Sequence, residues 1–85
     1  MTRFTVVWHQ EAEDELADIW LTSVIRQTVS AAANVIESEL AHDGDAKGTY
    51  LIAGLRLLEQ PPLRVIYQVR EQDRLATVLH VESFG

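Results

Sequence analysis

The order of patterns along the chain predicts an α+β fold, β-α-α-β-β-β, with a helical hairpin packed on one face of an antiparallel sheet. Three observations predict it. A short β-branched and aromatic run opens the sequence, two stretches of helical periodicity follow, and three strand-like runs close it with only short connections. Short connections between successive strands imply antiparallel hairpins. Two helices can cover only one face of such a sheet, so the other is left to solvent or to a partner.

The first run, Thr2 to Trp8, alternates so that Phe4, Val6 and Trp8 share one face. A helix follows in which Ala12, Leu16, Ile19 and Trp20 form one stripe. Glu11, Glu13, Asp14 and Glu15 occupy its first turns, where negative charge complements the helix dipole. No Ser, Thr, Asn or Asp stands near His9 to cap it, so its start is weakly defined. Val29, Ala32, Ala33, Ile36 and Leu40 form the stripe of a second helix, and Gly44 is its stop signal. The break between the helices falls near Ser23 to Arg26, without a Gly or Pro to mark it. The alanines let the two axes approach closely.

Thr49 to Leu58 reads as one strand, bounded by Gly48 and by Glu59-Gln60-Pro61-Pro62. The two prolines stop ladder pairing and mark a turn. Leu63 to Arg70 is the next strand, Glu71-Gln72-Asp73 a polar connection, and Leu75 to Val81 the last strand. There is no internal repeat, linker or low-complexity segment, and residues 1–85 read as one domain.

Nearly half of the 85 residues are apolar, enough for a core that needs no staple. The absence of cysteine excludes a disulfide scaffold, a thiolate metal site and a Cys nucleophile. No apolar run has the length of a membrane span, and the first residues open a strand rather than a signal peptide, so a cytoplasmic location is expected. The net charge of −6 argues against general nucleic-acid binding, which needs clustered Lys and Arg. The charge is uneven. Residues 1–43 hold two bases against eight acids, a balance of −6, whereas residues 44–85 hold five of each and balance to zero. The neutral half has room for a local basic site.

The text Ala12 to Trp20 (AEDELADIW), then Gly54-Leu55-Arg56, then Pro62 to Val69 (PLRVIYQV), in this order and spacing, resembles the RelE/ParE superfamily of type II toxin–antitoxin toxins. The resemblance covers nearly the whole chain. It implies a bacterial toxin, of the plasmid-stabilisation kind, neutralised by a co-encoded antitoxin. RelE-like members are ribosome-dependent messenger-RNA nucleases; ParE-like members share the fold, inhibit DNA gyrase and lack the nuclease residues.

Metal-independent RNA cleavage needs a group to take the 2′-hydroxyl proton, cations to stabilise the phosphorane, and an acid for the leaving oxygen. The resemblance implies that the nuclease branch meets these needs with Lys, Arg and a late Tyr or His on the open sheet face. Aligned through PLRVIYQV, Arg64 matches the family's strand arginine and is the best catalytic candidate. The two lysines fall at Leu55 and Leu57, a second arginine at Phe84, and the late tyrosine beyond Gly85. One of five expected groups is present, and a lone guanidinium does not transfer protons. RelE-type cleavage is therefore not expected.

Alternation puts Leu63, Val65, Tyr67 and Val69 on the core face and Arg64, Ile66, Gln68 and Arg70 on the open one. Tyr67 is then a core tyrosine. The face of Arg56 is ambiguous, since Leu55, Leu57 and Leu58 surround it. If Arg56 and Arg64 share the open face they form a small anion- or target-binding pair; otherwise each pairs with a surface acid such as Glu59 or Glu82. His80, on the face of Val78 and Glu82, is a weaker catalytic candidate and reads more simply as a polar strand residue. His42 suits a helix C-terminus, and no His pair has metal-ligand spacing, so no metal or cofactor is expected. Glu11 to Asp18 reads as a solvated helix face. Trp8 and Trp20 read as core, or as part of an antitoxin groove where exposed.

Three functions follow from the resemblance: a gyrase-directed toxin of ParE type, which the missing lysines favour; a degenerate, non-toxic antitoxin-binding relative; and a ribosome-dependent ribonuclease rebuilt from Arg56, Arg64 and His80. The expected partner is an antitoxin segment that folds on binding to the open face or an edge of the sheet, with a homodimer as the other arrangement.

Overall fold

The computed structural model describes residues 3–43 and 48–84. The expected strand start at Thr2 and the stop signal at Gly44 lie outside these residues. The elements are β1 (Thr5–Trp8), α1 (Gln10–Thr22), α2 (Arg26–Asp43), β2 (Thr49–Tyr50), β3 (Leu55–Gln60), β4 (Leu63–Arg70) and β5 (Leu75–Ser83). The architecture is α+β, with two helices on one face of a five-stranded sheet ordered β1-β5-β4-β3-β2.

Two features of the sheet differ from expectation. It is mixed: β1 runs parallel to β5, with Thr5 opposite Leu75 and Trp8 opposite Val78. The helical hairpin acts as the crossover that returns the chain for such pairing. Second, the run from Thr49 is two strands, broken at Leu51 to Gly54. There the Leu55 N–H donates to the Ile52 carbonyl at 2.9 Å, and Ala53 (φ 51°) and Gly54 (φ 80°) are both left-handed. Two left-handed central residues are the pattern of a type I′ turn, which matches the twist of the flanking strands. Pro61-Pro62 closes the β3–β4 hairpin as expected, with Gln60 opposite Leu63.

The weakly defined start of α1 has a cap after all. His9 is extended (φ −60°, ψ 149°), and its ring Nδ1 accepts the Glu11 N–H at 3.3 Å. The unmarked break between the helices is fastened by polar side chains. Ser23 Oγ accepts the Ile25 N–H at 2.9 Å, and Arg26 donates to the carbonyls of Trp20 (3.1 Å) and Leu21 (3.0 Å). A cation on the last carbonyls of a helix satisfies orphan acceptors and the negative end of the dipole together. At the far end of α2, the His42 ring lies 2.9 Å from the Ser38 carbonyl, the helix-terminal role expected of it.

The core lies between the helices and the sheet. Ala12, Val29, Ile36 and Leu40 from the helices meet Leu63, Val65, Tyr67, Ala76, Val78 and Val81 from the strands. The alternation in β4 holds throughout, with Leu63, Val65 and Tyr67 fully buried. In β5 it does not. Ile66 pairs with His80 and Tyr67 with Val78, so Leu79 is the extra residue of a β-bulge. The bulge shifts the phase, which is why Val78 and Val81 are both buried although three residues apart.

Candidate functional site

Cross-strand register builds the open face row by row. In antiparallel pairs, directly opposed residues share a face. One row reads Glu59–Arg64–Glu82 across β3, β4 and β5, the next Leu57–Ile66–His80, and the third Leu55–Gln68–Thr77.

Arg64, the best catalytic candidate, sits between two carboxylates. Its Nε donates to Glu59 Oε2 at 3.0 Å and its Nη1 to Glu82 Oε1 at 2.9 Å. The guanidinium also lies 4.5 Å from the centre of the Phe84 ring, the residue that stands where the resemblance implied a second arginine. The hydrogen bond to Glu82, joined by those to Glu59, raises the pKa of Arg64 above its ordinary value. One positive and two negative side chains leave this row at −1, the wrong sign for a phosphate or a developing phosphorane. The surface acids expected as alternative partners are therefore both engaged.

Arg56 is not beside Arg64. It is opposite Tyr67, whose side chain is buried on the helix side, so the register places Arg56 on the face away from Arg64. There its guanidinium lies 5.9 Å from the Tyr50 ring centre. The anion-binding pair of Arg56 and Arg64 does not form, because the two residues are one step out of phase across the β3–β4 ladder.

His80 requires a second correction. Strict alternation would place it with Val78, but the bulge turns it out, opposite Ile66, with its side chain 57% exposed. Its Nδ1 is 3.7 Å from Glu15 of α1, whose other oxygen accepts the Val81 N–H at 2.9 Å. That carboxylate ties α1 to β5 beyond the end of β1. Its partner lies 66 residues away, so no local pattern could reveal it.

The sheet edges offer little to strand addition among the described residues. The β2 edge is two residues long, and on the β1 side the Phe4 N–H is given to the Ala41 carbonyl.

Exposed large apolar side chains lie on the helices (Trp20, Leu21, Val35), between them (Val24, Ile25), on β1 (Val7) and at β2 and the turn after it (Tyr50, Leu51, Ile52). Trp20, expected in the core, is 39% exposed and donates through Nε1 to Ser30 Oγ at 3.1 Å, with Arg26 stacked 4.8 Å from its ring centre. It stands at one end of a groove of about 500 Å³ between α1 and α2, floored by Leu16, Ala17, Val29 and Ala33. A smaller hollow of about 270 Å³ continues it through Leu16 and Ala33 to Trp8 and Glu37. Trp8, half-buried, donates to Glu37 Oε1 at 3.0 Å. The two tryptophans thus flank one continuous groove.

No family model matches the sequence, and no curated protein does. Solved structures do match in shape. A chain of the toxin–antitoxin complex RelBE2 from Mycobacterium tuberculosis superposes with a TM-score of 0.80 at 17% identity, over 98% of this chain and 93% of that one. The chain has the RelE/ParE fold. A chain of the chromosomal ParDE system from P. aeruginosa (TM-score 0.63, 15% identity, 98% of each chain) and the isolated E. coli RelE toxin (TM-score 0.61, 16% identity, 99% of this chain and 86% of that one) have it too. Both the RelE and the ParE branch are thus represented among the structures that share the RelE/ParE fold with this chain.

Proposed function

We propose that this protein is the toxin component of a type II toxin–antitoxin pair and that it does not cleave messenger RNA. A gyrase-directed activity of ParE type is the favoured target reading. The observation that carries the proposal is the clamp on Arg64. The one basic side chain at a position the nuclease mechanism would use is shared between Glu59 and Glu82. The neighbouring open-face positions are Leu55 and Leu57, which neither carry charge nor move protons. An RNA backbone would meet two carboxylates before it met the guanidinium. Partnership with an antitoxin is supported by the RelBE2 structure, which is a toxin–antitoxin complex of the same fold.

Two assays on the purified protein test this. Added to ribosomes programmed with messenger RNA, it is expected to leave the message intact. Added to gyrase, it is expected to inhibit supercoiling. Cleavage of the message that Arg64→Ala abolishes would overturn the non-nuclease reading. The acid-clamped open face also favours one alternative, a degenerate relative that binds its antitoxin without toxicity. That alternative requires normal growth on expression together with stable capture of the neighbouring gene product.

A further inference from the structure

The end of the helical hairpin, where α1 turns into α2, combines two features. The first is exposed apolar surface. Val24 is 99% exposed, with Leu21 before it at 59% and Ile25 after it at 48%. Single exposed aliphatics are ordinary on a protein surface, but a group of them at one apex marks an interaction site. The apex is fastened. Ser23 Oγ accepts the Ile25 N–H, and Arg26 folds back on the carbonyls of Trp20 and Leu21. Val24 is thereby presented as a knob. The second feature is a hollow of about 430 Å³ beside it, between the hairpin end and the β3–β4 turn. Ile19, Ile25, Val29, Pro62 and Phe84 line it, and none of its lining side chains is charged.

The charge pattern selects the occupant. Ile19 to Ile36 hold one charged side chain, Arg26, although residues 1–43 balance to −6. The acids of the hairpin stand on either side of that window, at Glu11 to Asp18 and from Glu37 onward. A cationic partner finds no carboxylate within it, and an anionic partner meets the net negative charge of the chain. A second copy meets neither penalty, because charge is depleted at the centre of protein–protein interfaces and both faces here are neutral. A knob and a hollow side by side on one chain are also complementary to each other, the requirement for a two-fold contact that closes at two copies.

We propose that two copies of this chain associate through their hairpin ends, each Val24 seated in the other copy's hollow between Ile19, Pro62 and Phe84. This goes beyond the toxin reading and does not rest on it. Few side chains take part, so the interface belongs to the small class, under about 1,200 Å² in total, and the dissociation constant is on the order of 10–100 µM.

Sedimentation velocity of the full chain tests this. The expected result is a shift from monomer to dimer as the concentration rises from about 1 to about 500 µM. Val24→Asp places a charge on the knob at a position outside the core, and Ser83→Arg fills the hollow from its exposed rim. Each is expected to weaken the dimer by about tenfold or more with an unchanged far-UV circular dichroism spectrum. The second variant separates seating in the hollow from general adhesion of the apex. A monomer at every concentration, a dimer that either variant leaves intact, or assembly that continues past two copies would each overturn the proposal. So would binding to phosphatidylcholine vesicles that Val24→Asp abolishes, which would assign the apex to a bilayer surface instead.

Discussion

At Arg64 the register of three strands places a carboxylate on either side of one guanidinium. The side chain is one-third exposed, and exposed ion pairs contribute modestly to stability. Arg64→Ala is therefore expected to lower the thermal midpoint only slightly and to leave any growth arrest unchanged, as read by calorimetry and by induction of the variant. The pKa shift is upward, so the clamp's contribution is complete below the unfolded value and is lost only as pH rises through the raised folded one. On the arginine's side the clamp is insensitive to pH near neutrality. Gly48 presents the opposite case. It is left-handed (φ 74°), and a Cβ there would stand 2.5 Å from the Leu57 carbonyl oxygen and 2.9 Å from the Tyr67 hydroxyl. The backbone oxygen cannot swing aside. Gly48→Ala is expected to cost about 1–3 kcal/mol in urea unfolding.

The elements show what patterning reveals and what it hides. The stripe of α2 was legible because Val29, Ala32, Ile36 and Leu40 recur at helical spacing, and all four are buried. Ile36→Ala is expected to cost about 2–5 kcal/mol. The alternation in β4 was legible for the same reason and assigned the face of Arg64. The α1 stripe misled at Trp20, which lines the hollow between α1 and α2 and stays 39% exposed, because how two helices meet is not encoded in the pattern of either one. His9 was passed over because imidazole is an uncommon cap. His9→Ser, which substitutes a preferred cap at an extended residue, is expected to raise stability by about 0.5–1 kcal/mol. The β2–β3 turn was hidden by Ala53, a residue that carries no signal for a left-handed conformation. The faces of Arg56 and His80 were beyond reach for a different reason. One depends on the register between β3 and β4, the other on a bulge at Leu79, and both are properties of pairs of strands.

For the whole molecule, the asymmetry of charge and the asymmetry of the fold coincide. The acidic half is the helical hairpin, and two of its acids, Glu13 and Glu37, line the hollows between α1 and α2. The neutral half is the sheet, where Arg64 is held by Glu59 and Glu82 and Arg70 lies 3.9 Å from Asp73. The sequence of one strand, two helices and a closing run of strands was readable from the chain, as was the RelE/ParE fold, but the division of the Thr49 run into β2 and β3 was not. The parallel pairing of β1 with β5 was not, since it joins residues about seventy positions apart.

The proposed function is that of a toxin restrained by an antitoxin. Its most direct test is growth of a bacterial host on inducible expression, alone and together with the neighbouring gene. The expected result is arrest on expression alone and relief when the neighbour is co-expressed. Unimpaired growth without the neighbour would contradict it, and would reduce the protein to a folded binding partner.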